Sequence, residues 1–220
     1  MLSRLNRMAI TGLAILLLAA TAVPAENDNS LMKKVRKKYD KLQTLETKFT
    51  QTSFWALANE EQSEDGVLHL DQKNRYRIET DTQVIVSDGT TVWTYSKDRD
   101  QVIIDSVTKS KEHQLPKDIL LCYTKDSKAE LLGEPRIGGT PCYQLQFLPK
   151  DEDAFITSTK LWVNQKSLIT LRIEQEDINE NVTRFDLINT RWNPPLENSL
   201  FRFEIPATAE VIDLTSSGGK

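Results

Sequence analysis

Apolar positions in the first part of the chain recur at helical spacing. Leu31, Val35, Tyr39, Leu42, Leu45 and Phe49 follow one another at steps of three or four, which predicts one long helix running to the Phe49-Thr50-Gln51 stretch. Asn29 or Ser30 can cap its start. Its other face carries Lys33, Lys34, Arg36, Lys37, Lys38 and Lys41, six cations within nine residues. Such a face either is simply solvated or docks to an acidic partner or anionic lipid, with Lys33, Lys34, Lys37 and Lys38 as the docking candidates. After this helix the period changes to two. Alternating runs at 66–70, 75–79, 82–87, 91–95, 100–105, 129–132, 142–148, 156–163, 168–174 and 182–189, with a short last run at 201–205, read as strands. The joins at 71–74, 88–89, 96–99, 164–167 and 178–180 are short and polar, so neighbouring strands pair antiparallel. Asp88-Gly89 tolerates the positive φ angles of a tight hairpin. The following strand puts Val92 and Thr94 on one face, Trp93 and Tyr95 on the other. Residues 109–123 break the alternation around Pro116 and are expected to form either a short helical lid or an ordinary edge connection. The expected fold is therefore mainly β with α: about ten or eleven antiparallel strands that curl strongly or close, with one long N-terminal helix and a small helical insertion.

Residues 1–25 are expected to lie outside that fold. Arg4 and Arg7 precede an apolar run from Met8 to Ala20, and Val23-Pro24-Ala25 supplies small residues before a cut. This is the layout of a secretory signal peptide, the alternative being an uncleaved anchor. Removing it leaves one domain over 26–220 and takes the formal charge from −4 to −6. That acidic balance argues against a general nucleic-acid binder. Export to an oxidising compartment favours a Cys122–Cys142 disulfide, worth about 3 kcal/mol in the chain-entropy picture. The alternative is two reduced, partly buried thiols.

Catalytic chemistry finds little support. His69 and His113 are the only imidazoles, and two His with two Cys at these spacings argue against a structural zinc site. No serine-nucleophile elbow, phosphate loop or zinc-protease motif occurs. The acidic run Glu60, Glu61, Glu64, Asp65 is expected to be a solvated loop. Asn181-Val182-Thr183 matches a glycosylation sequon, which has meaning only in a eukaryotic secretory setting. A non-enzymatic binding protein without cofactor or metal is expected.

The order of several segments resembles the LolA family of periplasmic outer-membrane lipoprotein carriers. These are the Phe49-x-Gln51 run, Gly66-Val67-Leu68-His69-Leu70, Arg75-Tyr76-Arg77-Ile78, Val86-Ser87-Asp88-Gly89 with Val92-Trp93-x-Tyr95, and Phe201-x-Phe203-x-x-Pro206 with Val211-Ile212-Asp213. The resemblance covers nearly the whole mature chain. It implies an incomplete, strongly curved antiparallel β-barrel covered by the N-terminal helix and a short helical lid, and a monomeric periplasmic carrier. Such a carrier takes the acyl chains of lipoproteins from an inner-membrane ABC exporter to an outer-membrane acceptor. The expected cargo-binding residues are Phe49, Trp55, Leu68, Tyr76, Ile78, Trp93, Tyr95, Leu115, Ile119, Phe147, Trp162 and Phe185. The chain departs from the family pattern at Asp71-Gln72-Lys73-Asn74, where members often carry a Lys-Arg-Pro-like turn whose Arg helps hold the lid. Lys73, Arg75 or Arg77 are the candidates to replace it. The glycine usual after the final Pro is also absent, Ala207 following Pro206. A periplasmic lipid- or protein-sensing domain of the same fold is the competing reading.

Overall fold

The computed structural model describes residues 28–107 and 127–215. The expected signal peptide, and Leu115, Ile119 and Cys122 in the expected lid, lie outside these residues. The elements are α1 (Asp28–Tyr39), β1 (Thr44–Trp55), β2 (Glu60–Asp71), β3 (Arg75–Thr80), β4 (Gln83–Asp88), β5 (Thr91–Ser96), β6 (Gln101–Ser106), β7 (Ser127–Gly133), β8 (Arg136–Ile137), β9 (Thr140–Pro149), β10 (Ile156–Asn164), β11 (Thr170–Asp177), β12 (Val182–Trp192), a 3-10 turn (Asn198–Phe201) and β13 (Glu210–Asp213). The strands form one curved, open sheet in the order β13-β6-β5-β4-β3-β2-β1-β12-β11-β10-β9-β7, with β8 paired to β9. All pairings are antiparallel except β13 with β6.

The helix is shorter than its periodicity suggests. It ends at Tyr39 on a tightened turn, Leu42 N–H donating to Tyr39 O at 2.9 Å. Leu45 and Phe49 belong to β1 instead, and Asn29 and Ser30 sit inside the helix rather than capping it. The reason is a double periodicity: positions 42, 45 and 49 fit a helix, but 45, 47 and 49 fit a strand. Thr47 is fully buried between the other two, and the β-branched Thr44, Thr47, Thr50 and Thr52 favour the extended form. The acidic run at 60–65 is likewise strand, not loop. It is the outer half of β2, paired with β1 down to Trp55↔Glu60. The expected strand at 201–205 is replaced by the 3-10 turn and an extended segment, the last strand being β13.

Strand register divides the sheet into two faces. The inner face carries Leu45, Thr47 and Phe49 of β1 beside Leu70, Leu68 and Gly66 of β2. Tyr76 and Ile78 of β3 continue it on one side, Trp192, Leu187 and Phe185 of β12 on the other. Ile173, Leu161, Leu145 and Leu131 extend it to the β7 edge. Helix α1 packs against this face through Leu31, Val35 and Tyr39, which join the core of Leu145, Phe147, Leu161 and Val163. Burying those three side chains contributes roughly 5–9 kcal/mol, an upper bound because the unfolded chain already hides part of this surface. Tyr39 fixes the helix end: its hydroxyl donates to Thr170 Oγ1 at 2.7 Å and accepts the Thr170 N–H at 3.0 Å. Its ring meets Trp192 edge-on at 5.1 Å.

The outer face of β4–β6 holds a second apolar layer, with Val84, Val86 and Val102 buried. The C-terminal segment covers it. Phe203 lies 6.4 Å from the Trp93 ring and 6.2 Å from the Tyr95 ring, and Phe201 is buried. Arg75 clamps the start of this segment, its guanidinium 4.6 Å over Phe201 and its Nη1 donating to Asn198 Oδ1 at 3.0 Å. The same guanidinium contacts the buried Asp71 carboxylate at 2.6 Å, which also accepts the Lys73 N–H at 2.9 Å and the Arg75 N–H at 3.2 Å. Replacing Arg75 with Ala strands a buried carboxylate and is expected to cost about 2–3 kcal/mol of stability. A urea midpoint unchanged from wild type would contradict this clamp.

Candidate functional site

The site is built from inner-face side chains that neither α1 nor a neighbouring strand fully covers. Ile78, Ile85, Tyr143, Phe185 and Leu187 remain partly exposed while packing on the buried core. They flank buried Phe49, Leu68, Tyr76 and Phe147, so an apolar floor with half-open walls results. Towards the β6 edge the same face turns polar, through Thr94, Ser96, Gln101 and Asp105 in register with Ile85, Val92 and Ile103.

Gly66 shapes the floor. It stands opposite Phe49, and a Cβ there would come within 2.4 Å of Phe49 Cζ and 2.9 Å of Glu79 O. The missing side chain lets the Phe49 ring lie down across β2, where it meets Phe185 edge-on at 6.0 Å. Gly89 answers a different need in the Asp88-Gly89 hairpin. Its φ is +96°, and a Cβ would meet Lys73 O at 2.6 Å.

The twelve sequence-derived cargo positions separate by face. Phe49, Leu68, Tyr76, Ile78, Phe147 and Phe185 lie together on the inner face, and Trp55 stands at its far end in the same register. Trp93 and Tyr95 do not: they pair with Val86 and Val84 on the outer face, under Phe203. Trp162 is also outside, opposite Arg172, whose guanidinium lies 5.7 Å from its ring. Around it runs a solvated charge ladder, Lys160–Glu174 at 3.3 Å, Arg184–Glu174 at 3.0 Å and Arg172–Asp186 at 2.6 Å. These three aromatics therefore leave the candidate site. The sequence showed which residues alternate together but not which side the helix would cover. Ile85 and Leu187, which the sequence reading missed, show the same alternation as Ile78 and Phe185.

Other expected groups resolve as follows. Arg75 and Arg77 project from the outer face, Arg77 pairing with Glu79 at 2.8 Å, so neither faces the side on which α1 lies. Cys142 is a buried free thiol donating to Thr140 O at 3.4 Å, and burial pushes its pKa up. The partner expected for it, Cys122, lies outside the described residues. Lys33, Lys34 and Lys37 are exposed, whereas Lys38 is half-buried with its ammonium 4.4 Å from the Trp192 ring. No helix among the described residues is long and apolar enough to cross a membrane.

Comparison with known proteins now bears on this face. The family model "Outer membrane lipoprotein carrier protein LolA" matches residues 40–204. The chain belongs to the LolA family. It is 26% identical over 209 residues to the outer-membrane lipoprotein carrier protein of Azotobacter vinelandii, covering 90% of this chain and 97% of that one. The corresponding protein of Methylobacillus flagellatus is 24% identical, with 93% and 98% covered. Among solved structures, an uncharacterized conserved protein from Thermus thermophilus superposes with a TM-score of 0.55 at 14% identity, covering 84% of this chain and 98% of that one. The lipoprotein LppX of Mycobacterium tuberculosis gives 0.50 at 11% identity, with 78% and 99% covered. These two likenesses show that the curved sheet is shared; the family match rests on sequence.

Within this LolA-family fold, Tyr76 sets a phenol hydroxyl on the buried part of the inner face. The residue is buried, burial pushes its phenol pKa up to about 12, and its hydroxyl has no hydrogen-bond partner among the described residues. It stays protonated at neutral pH and can donate to a carbonyl oxygen brought onto this face. Tyr76→Phe is expected to raise the stability of the empty protein by about 1 kcal/mol, because an unsatisfied buried hydroxyl is removed. A lowered thermal midpoint would show that the hydroxyl is already satisfied. Gly66→Ala is expected to displace the Phe49 ring and cost about 1–3 kcal/mol; an unchanged midpoint would mean that the ring shifts freely.

Proposed function

We propose that this chain is a periplasmic carrier that holds the acyl chains of lipoproteins against its inner face. It would receive them from an inner-membrane ABC exporter and release them to an outer-membrane acceptor. Family membership supports the cargo class. The observation that carries the reading onto particular residues is the run of half-exposed apolar side chains, Ile78, Ile85, Phe185 and Leu187, beside a floor shaped by Gly66 and Phe49. Each methylene removed from water contributes about 0.8 kcal/mol, so a long acyl chain fully covered is worth roughly 10 kcal/mol. Binding, rather than bond-making, is the chemistry these side chains supply. The exposed lysines of α1 would steer the approach of an acidic partner surface, changing association rate more than final affinity.

The inner and outer faces give the test its control. Ile78→Glu or Phe185→Glu puts a charge where fatty tails would lie, and each is expected to reduce uptake of a fluorescent fatty-acid probe at least tenfold. Trp162→Glu, on the outer face, is expected to leave uptake unchanged. Equal uptake by all three folded variants, or no uptake by the unsubstituted protein, would refute the assignment of cargo to this face.

A further inference from the structure

Four large apolar side chains left in water gather at one end of the sheet: Trp55 at 40% exposure, Leu57 at 102%, Phe155 at 59% and Ile178 at 59%. They come from the β1–β2 hairpin tip, the β9–β10 connection and the β11–β12 turn. The strands bearing these connections are neighbours in the sheet, β1-β12-β11-β10-β9. Hydrogen bonds tie the three connections into one unit. The Ile178 N–H donates to Phe155 O at 3.0 Å, and the Ala56 N–H donates to Asn181 Oδ1 at 3.1 Å. Asn181 is itself held by Asp177, whose carboxylate accepts the Asn179 N–H at 2.7 Å, the Asn181 N–H at 3.1 Å and Asn181 Nδ2 at 3.0 Å. The sequon asparagine thus serves as a structural tie. Singly exposed apolar residues need no explanation, but four on a tied cluster of tips form a patch.

The surroundings of the patch select its occupant. Exposed Glu60, Glu61, Asp151, Glu152, Asp153 and Glu180 rim it, and Lys150 is the basic residue within the three connections. Tips that enter a bilayer carry cations for the headgroups, whereas these carboxylates are repelled by anionic lipid. An apolar centre with a charged rim and an aromatic anchor is instead the anatomy of a protein–protein contact. We propose that this tip docks a membrane-bound protein partner presenting an apolar patch rimmed by lysine and arginine. Trp55 belongs to both the tip and the end of the inner face, so a partner seated there abuts the cargo surface. The choice of a membrane-bound partner rests on the carrier reading; the docking itself is measured without cargo.

The test is co-sedimentation of the purified protein with inner- and outer-membrane vesicles of the host bacterium, and with protein-free liposomes of the same lipids. One variant combines Leu57→Ser, Phe155→Ser and Ile178→Ser; a second combines Glu60→Gln, Glu61→Gln, Glu152→Gln and Asp153→Asn. The unsubstituted protein is expected to sediment with intact vesicles of at least one membrane and not with liposomes or protease-shaved vesicles. The serine variant is expected to bind at least tenfold more weakly, and the charge-neutralised variant to lose most of the salt dependence. Binding unchanged in the serine variant, or absent from both kinds of vesicle at low salt, overturns the proposal. So does binding that persists on liposomes, which would make the occupant a bilayer, or a tip-dependent dimer in solution, which would make it a second copy. Fatty-probe uptake, measured on the same samples, is expected to survive in both variants. Its loss from the unsubstituted protein would sink the carrier reading while vesicle binding still decides the docking surface.

Discussion

An open sheet this wide has two faces to keep from water and, among the described residues, one helix with which to do it. That shortage governs the rest of the structure. Helix α1 covers the inner face near the β7 edge, where Leu31, Val35 and Tyr39 meet Leu145, Phe147, Leu161 and Val163. The C-terminal segment covers the outer face near the β6 edge, where Phe201 and Phe203 meet β3–β5. Each cover is pinned by a polar contact at its end, Tyr39 to Thr170 for the helix and Arg75 to Asn198 and Asp71 for the tail. What neither cover reaches is the inner face around β3, β4 and β12, and the partly exposed Ile78, Ile85, Phe185 and Leu187 lie there.

Most of this architecture was legible in the chain because a period of two is a strong signal, and each hairpin turn carried its own polar punctuation. The side on which each alternating set would face was not legible. Trp93 and Tyr95 share a face in any register, but only the path of the C-terminal tail decides that this face is the outer one. Trp162 was misplaced for the same reason, its apolar ring suggesting cargo where the strand pairing offers it Arg172. The helix end was ambiguous because Leu42, Leu45 and Phe49 satisfy the helical period while Leu45, Thr47 and Phe49 satisfy the strand period. The start of β2 was hidden by charge: carboxylates on both sides of a strand look like a loop, and here they extend the pairing to the tip. Phe201-Arg202-Phe203-Glu204-Ile205 alternates like a strand, yet it uses Phe201 and Phe203 as anchors and leaves the ladder hydrogen bonds to β13.

The ends of the sheet are chemically distinct. Strand β1 runs from Thr44, near the end of α1, to Trp55 at the tip, about 35 Å at the usual strand rise. The last turn of α1 supplies Arg36, Lys37 and Lys38 at one end, while Glu60, Glu61, Asp151, Glu152 and Asp153 crowd the other. Charges separated along the long axis orient a molecule in the field of a partner before contact. The side faces between them are neutralised by ion-pair ladders such as Lys160–Glu174–Arg184. Those ladders add little stability in water, but among the described residues they pair opposite charges along the sides of the sheet.

A carrier has to keep apolar surface available when it is empty, and a hydrophobic face left to itself collapses. The structure resists collapse by rigidity rather than by polarity. Gly66 fixes where the Phe49 ring lies, because a Cβ would occupy the ring's position. Phe185 is held edge-on against it, and both sit on long paired strands, β1 with β2 and β12. The walls therefore cannot move inward without breaking ladder hydrogen bonds, each worth about 1 kcal/mol net. Full burial of one long chain would give roughly 10 kcal/mol, a dissociation constant on the order of 50 nM, which is tight for a molecule that must let go. If cargo lies on the inner face, a surface that is apolar over β1–β3 and more polar over β5–β6 would cover only part of such a chain. On the proposed carrier reading, the same incomplete cover that leaves Ile78 and Phe185 partly wet would set an affinity from which a receiving partner could withdraw the cargo.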